Sequence, residues 1–323
     1  MSKVIICIHG IGNKPSPKLL SEWWRKSIHE GLNGIGKFTF NPGITMIYWA
    51  DVLHNRPLDE NITNREDPNY LEERYTPADK NPFPVKRAFH NKIFDILEKE
   101  IDKILLNDDM SINLSFVHDL IIHKYFKELE IYYSGNLIDE SGMKQPAKKI
   151  IRERAAAALR KHKSDQILLI AHSMGSIIAY DVLTNLMPEL NIDTFITIGS
   201  PLGFPLVKSK TAFEQQLKDN TIKKLKTPPG ISRLWYNFSD NEDRIAMHHK
   251  IADDFEPNSY EVKPIDITVE NNYEINGNRN PHKSYGYLRA PELSQVLYDF
   301  LTKDRSKLSV RILEAVNFFY SKK

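Results

Sequence analysis

Short continuous apolar runs alternate along the chain with longer stretches in which apolar residues recur every three to four positions. The first run, residues 4–8 (VIICI), is β-branched and closed by the loop HGIG, the pattern of a strand buried on both faces. Residues 19–32 follow as an amphipathic helix with Leu20, Trp23, Trp24, Ile28 and Leu32 on one face. Residues 44–51 (ITMIYWAD) read as the next strand, after which the alternation stops until residue 148. The interruption opens with a polar, proline-bearing stretch, residues 55–79. Two helix-period runs come next, one carrying Phe89, Ile93, Ile96, Leu97, Ile101 and Ile104, the other Val117, Ile121, Tyr125 and Leu129.

From Lys148 the alternation resumes with helix KKIIRERAAAALRKH, strand QILLIA, a helix from Gly175 to about Met187, strand TFITIG and loop SPLGFP. Strands RLWYNF (residues 233–238) and IDITV (residues 265–269) follow, then helices over 291–301 and 308–320. Repeats of this length predict an α/β fold with a mostly parallel sheet, flanking helices and a helical cap insertion. Residues 1–51 and 145–323 would form the core, and residues 52–144 the cap or lid. A cover of apolar-faced helices would exclude water and shape a pocket for an acyl chain.

One serine stands out against this pattern. Functional groups of an open parallel sheet gather at the carboxyl ends of its strands, and Ser173 lies just past QILLIA and just before a helix. AHSMG follows the nucleophile-elbow pattern G-x-S-x-G with Ala171 in place of the first glycine; small residues are required there because the turn crowds its neighbours. The helix N-terminus offers the Met174 N–H to an oxyanion beside Ser173. The loop His9, Gly10, Ile11, Gly12 can bring the Ile11 N–H to the same point, and His172 and Gly175 complete the supporting elbow.

A serine nucleophile needs a histidine base, and the histidine needs a carboxylate. NFSDNEDRIA offers Asp240, Glu242 and Asp243; Asp243 is preferred, with Asp240 as the alternative. His282 in NPHKSYGYL is the preferred base because it lies in a loop between the last strand and the helix from Pro291. His248 and His249 come too soon after the acid and read as decoration of a surface helix.

Composition narrows the partners. A chain of 323 residues can bury a full core and carry an insertion. The 44 basic and 42 acidic side chains leave +2, which gives no whole-molecule attraction to nucleic acid. Lys208, Lys210, Lys218, Lys223, Lys224 and Lys226 are locally basic: a candidate for peripheral contact with phospholipid headgroups, for which a solvated face is the plainer reading. The single cysteine, Cys7, cannot form an internal disulfide and suits a reducing compartment. With no signal-peptide core and no long apolar span, a cytoplasmic location is expected.

Other motifs carry less. GLNGIGKF imitates a phosphate loop, but Phe38 stands where a hydroxyl must meet magnesium, so it reads as a helix end and loop. The adjacent His248 and His249 lack metal-ligand spacing, and neither metal nor cofactor is expected. Trp23, Trp24 and Phe204 could line an acyl pocket, though core packing is the simpler role.

In chain order, IHGIG, AHSMGS, DRIA and NPH resemble the α/β-hydrolase superfamily, specifically its lipase and esterase branch. The resemblance covers both ends of the chain and not residues 52–144. HSMGSIIAYDVL is also similar to the elbow and helix of intracellular phospholipase A1 proteins. The resemblance implies an α/β-hydrolase fold with Ser173 as nucleophile, Asp243 as acid, His282 as base, and Ile11 and Met174 N–H groups as the oxyanion hole. The departures are Ala171 and a chain that starts at what would be the family's third strand, as compact lipases also do.

The expected function is a serine hydrolase cleaving carboxylic esters, acyl-lipid or lysophospholipid above all, through an acyl-enzyme. A thioesterase, an amidase or an acyltransferase would share every residue named. A non-catalytic scaffold that kept the fold is the rival from another class.

Overall fold

Along β1 (Lys3–Ile8) successive side chains enter different cores: Ile5 and Cys7 join one buried cluster, Ile6 and Ile8 the other. That alternation is what a strand covered on both faces requires. The computed structural model describes residues 2–37, 42–78, 120–139, 141–216, 224–246, 248–275 and 277–306. After β1 come β2 (Ile44–Ile47), the hairpin β3 (Asn136–Ile138) and β4 (Lys144–Pro146), β5 (Gln166–His172) and β6 (Ile192–Ile198). The chain continues with β7 (Leu225–Lys226), β8 (Ile231–Ser239), β9 (Phe255–Glu256), β10 (Pro264–Thr268), β11 (Glu274–Ile275) and β12 (Asn278–Arg279).

Six strands form the central sheet in the order β10-β8-β6-β5-β1-β2, and every pair is parallel. All six were expected from the sequence. β1 therefore lies inside the sheet, paired with β5 from Lys3 opposite Gln166 to Ile8 opposite Ala171. Helices α1 (Pro17–Gly34), α2 (Leu120–Ser134), α3 (Ala147–Arg160), α4 (Met174–Asp181), α5 (Pro205–Gln216), α6 (Ser284–Leu288) and α7 (Pro291–Thr302) flank it. Trp24 and Ile28 of α1 and Leu293 and Phe300 of α7 pack on one face with Leu168 and Ile170. Ile151 of α3, Ile177 and Ile178 of α4, and Leu129 and Tyr132 of α2 pack on the other with Leu169 and Ala171.

Four expectations shift. The second strand ends at Ile47 rather than at residue 51: Trp49 turns its N–H to His9 Nε2 (3.0 Å) and its indole Nε1–H to the His9 carbonyl (2.9 Å), and a 3₁₀ turn follows over Ala50–Val52. The helix after Ser173 starts at Met174 and gives way to a π turn over Val182–Leu186. Residues 248 and 249 lie in irregular chain, not on a helix: His248 stacks on Phe204 at 5.9 Å, and the His249 carbonyl accepts from Asn237 Nδ2 at 2.8 Å. Lys208 pairs with Asp254 at 3.0 Å, while Lys218 and Lys223 lie outside the described residues.

The apolar run from Phe89 to Ile104, Val117 and residues 308–320 also fall outside the described residues, as does Phe38. Within the expected cap, residues 73–76 are strapped to the chain around His282. Tyr273 Oη donates to the Arg74 carbonyl (3.1 Å), Arg289 donates to the Thr76 carbonyl (3.2 Å), and Lys283 pairs with Glu73. Helix α2 is held to the core by Tyr132 Oη donating to Asp181 Oδ2 (2.5 Å), with Lys148 on the same oxygen at 2.9 Å. Among the described residues no helix is long and apolar enough to cross a membrane.

Candidate active site

β5 ends at His172, and α4 begins at Met174, so Ser173 carries the whole reversal of direction. It does so at φ 53 and ψ −129. A side chain in that region costs on the order of 1–3 kcal/mol and persists only where its surroundings over-determine it. They do here: the Ser173 N–H donates to the Ile198 carbonyl (3.1 Å), and its carbonyl accepts from Ser176 N–H (2.9 Å) and Ser176 Oγ (2.5 Å). Ser176 Oγ in turn meets Ser200 Oγ at 2.7 Å.

The loop after β1 presses on this turn. A Cβ on Gly10 would lie 2.7 Å from Ser173 Cβ, and one on Gly175 would lie 2.6 Å from the His9 carbonyl oxygen. Both positions therefore exclude any side chain, which accounts for glycine at each. His9 is buried and stacked on Trp49 at 5.1 Å; its Nδ1–H donates to the Gly10 carbonyl at 2.8 Å, and Nε2 accepts from Trp49. Burial, aided by the charge of Lys14, lowers its pKa to about 3, so the ring is neutral.

Ser173, His282 and Asp243 are brought into one chain of hydrogen bonds. Ser173 Oγ–H donates to His282 Nε2 at 3.0 Å, and His282 Nδ1–H lies 2.9 Å from each oxygen of Asp243. This proton placement follows from the partners, since the carboxylate can only accept. Asp243 is fully buried, and Oδ1 also accepts the N–H groups of Ile245 (3.0 Å) and Ala246 (3.2 Å). Ser173 is enclosed, while the His282 side chain keeps 22% exposure. His172 lies beside the base: its Nε2–H donates to the His282 carbonyl at 2.8 Å, and burial, with the nearby His282 charge, holds its pKa well below the usual imidazole value.

Asp240, the alternative acid, is turned away. Its Oδ2 accepts the Asn271 N–H (2.6 Å) and pairs with Arg279 (2.5 Å), and its Oδ1 accepts the Glu242 N–H (2.8 Å). Glu242 also pairs with Arg279. Neither Ile11 N–H nor Met174 N–H has an acceptor among the described residues. Met174 directly follows Ser173, and Ile11 directly follows Gly10, whose backbone is packed against Ser173. Cys7 of β1 is fully buried, and burial pushes its thiol pKa far up.

Tyr287 was missed by sequence reasoning. Its hydroxyl donates to Asp243 Oδ2 at 2.7 Å, and burial, reinforced by the Asp243 charge, holds its pKa well above the ordinary phenol value. The only cue was its place five residues after His282 in NPHKSYGYL. Glu128 was also missed; no motif contains it. Among the described residues no group of three His, Cys, Asp or Glu side chains is arranged to hold a metal ion.

Such an arrangement can activate a hydroxyl, hold an imidazolium beside a buried carboxylate and stabilise a developing oxyanion. Comparison of the chain with protein-family models, curated proteins and solved structures returned no match.

Proposed function

We propose that the protein is a serine hydrolase of the α/β-hydrolase type that cleaves carboxylic esters through an acyl-enzyme. The observation that carries this reading is His282, which bridges Ser173 Oγ (3.0 Å) and Asp243 (2.9 Å) while Ser173 sits at positive φ. A surface serine that merely fills a turn has no reason to hold all three relationships at once. The strand order, with the serine at the carboxyl end of β5 between its neighbours β1 and β6, supports the same fold type.

In the proposed cycle Ser173 Oγ attacks the ester carbonyl carbon as its proton passes to His282 Nε2. The carbonyl oxygen, now negative, is met by the Ile11 and Met174 N–H groups. Asp243 steadies the imidazolium through Nδ1–H. His282 then hands the proton to the departing alcohol, leaving the acyl group on Ser173. Water, deprotonated by His282, attacks the acyl carbon, and the acid product leaves as the proton returns to Ser173.

The substrate we propose is an acyl-lipid or lysophospholipid. Support comes from the likeness of HSMGSIIAYDVL to intracellular phospholipase A1 elbows and from the helix-period apolar runs in residues 52–144.

A fluorophosphonate probe on the purified full chain tests the chemistry. Wild-type protein is expected to be labelled and Ser173→Ala not; an unlabelled wild type, or equal labelling of both, overturns the reading. A panel of acyl esters of rising chain length tests the substrate class. Turnover limited to acetate and butyrate esters would sink the lipid assignment while leaving the hydrolase intact.

A further inference from the structure

The loop after β1 has its peptide groups held by three side chains, two of them local, His9 and Lys14, and one from α2, Glu128. The Gly10 carbonyl accepts from His9 Nδ1 at 2.8 Å. A peptide unit is planar, so fixing the Gly10 carbonyl also fixes the direction of the Ile11 N–H on its far edge. The next unit is held at both ends: the Ile11 carbonyl accepts from Lys14 Nζ, and the Gly12 N–H donates to Glu128 Oε2 at 2.9 Å. Lys14 Nζ also reaches the Gly12 carbonyl at 3.2 Å.

Glu128 is the unexpected member. It arrives from α2, 116 residues along the chain from Gly12, and is only 6% exposed. Its Oε1 lies 3.4 Å from His54 Nε2. Gly12 sits at φ 85, where Lys14 holds the carbonyls on either side of it and Glu128 is the acceptor for its N–H. Burial alone would push the Glu128 pKa up. The neighbouring His54, the Gly12 N–H and the charge of Lys14 outweigh burial and hold it below the ordinary carboxylate value. The acceptor facing Gly12 is therefore an ionised carboxylate, the stronger kind.

We infer that Glu128 is a positioning residue for the oxyanion donor: it clamps the Ile11–Gly12 peptide so that the Ile11 N–H stays aimed beside Ser173. The inference rests on the hydrolase reading above. It gives helix α2 a part in the chemistry, where the sequence offered it only as a cover over the substrate.

The test pairs a direct view of the clamp with kinetics on the purified full chain. With glycine amides labelled by ¹⁵N, the Gly12 proton resonance is expected downfield in the wild type and clearly upfield in Glu128→Ala. In that variant kcat for an ester should fall about tenfold to a hundredfold, the scale of a misplaced catalytic group, with KM within about twofold. Glu128→Gln keeps an acceptor and loses the charge, so a smaller upfield shift and about a threefold loss in kcat are expected; it decides the matter if the alanine variant does not fold. An unmoved Gly12 resonance in either variant, or a moved resonance with unchanged kcat, overturns the proposal. Failure of the hydrolase reading looks different: wild-type Ser173 is not labelled by fluorophosphonate although Gly12 still responds to Glu128. That result removes the oxyanion role and leaves only a structural clamp.

Discussion

The Tyr287 hydroxyl donates to Asp243 Oδ2 at 2.7 Å and accepts the Asp240 N–H at 2.9 Å. One buried phenol thus links the proposed catalytic carboxylate to the backbone of the rejected one. Hydrogen bonds to charged groups contribute about 1.5–3 kcal/mol. Tyr287→Phe should therefore lower the urea unfolding free energy by about that amount. It should also cut kcat by about tenfold, since Asp243 loses the donor that fixes its second oxygen. Unchanged kcat with lowered stability would make Tyr287 purely structural.

Exchanging the two carboxylates separately distinguishes their roles. Asp243→Asn should reduce ester turnover by about 10⁴-fold, the size expected when the base loses its tautomer partner. Asp240→Asn should act through stability instead, because its partners are Arg279 and the Asn271 and Glu242 N–H groups. Melting curves beside initial rates read both; a larger rate loss at Asp240 would reverse the assignment.

Close approach gives a second stability test. Ala at position 10 would put a methyl 2.7 Å from Ser173 Cβ and 2.8 Å from His172 Nδ1. Overpacking of this kind costs about 1–3 kcal/mol. Gly10→Ala should lower the melting temperature and nearly abolish fluorophosphonate labelling. Gly34→Ala, where no atom of the described residues lies within 4 Å of the added carbon, is the matched control and should change neither.

Acid sensitivity follows from two buried neutral histidines. His9 titrates at about 3 and His172 well below 6.5 in the folded protein, both depressed chiefly by burial. A depressed imidazole pKa means that, below the unfolded value near 6.5, the unfolded chain binds a proton the folded chain refuses. Stability is complete above that pH and falls on acidification, by about 1.4 kcal/mol per pH unit for each histidine, until the folded pKa is reached. Urea unfolding at a series of pH values from 7.5 to 5 should show this slope. His9→Gln, which can still donate to Gly10 and accept from Trp49, should remove one histidine's share.

The six sheet strands were legible because each is a short β-branched or aromatic run bounded by polar loops, and because parallel strands buried on both faces leave few polar interruptions. β2 reads too long in the sequence because the β-prone, largely apolar run continues past Ile47 through Tyr48 and Trp49; the tertiary pairing of Trp49 with His9 ends the strand. Asp240 and Asp243 could be narrowed to a loop but separated only weakly, since which carboxylate faces His282 depends on where Arg279 and Asn271 draw the other. Tyr287 and Glu128 left no trace in the spacing of motifs. Each acts across long stretches of chain, Tyr287 on Asp243 and Glu128 on Gly12, and such contacts exist only after the sheet has assembled.

That assembly has a cost in time. β1 lies between β2 and β5 in the finished sheet, yet β5 leaves the ribosome only after the long stretch between Ile47 and Gln166 has been translated. At ordinary rates of synthesis the run KVIICI waits on the order of ten to thirty seconds for that partner. During this interval an apolar strand has an edge open to other nascent chains, the situation in which holdase chaperones are needed. The strand β1 is therefore open to aggregation while the rest of the chain is still being made.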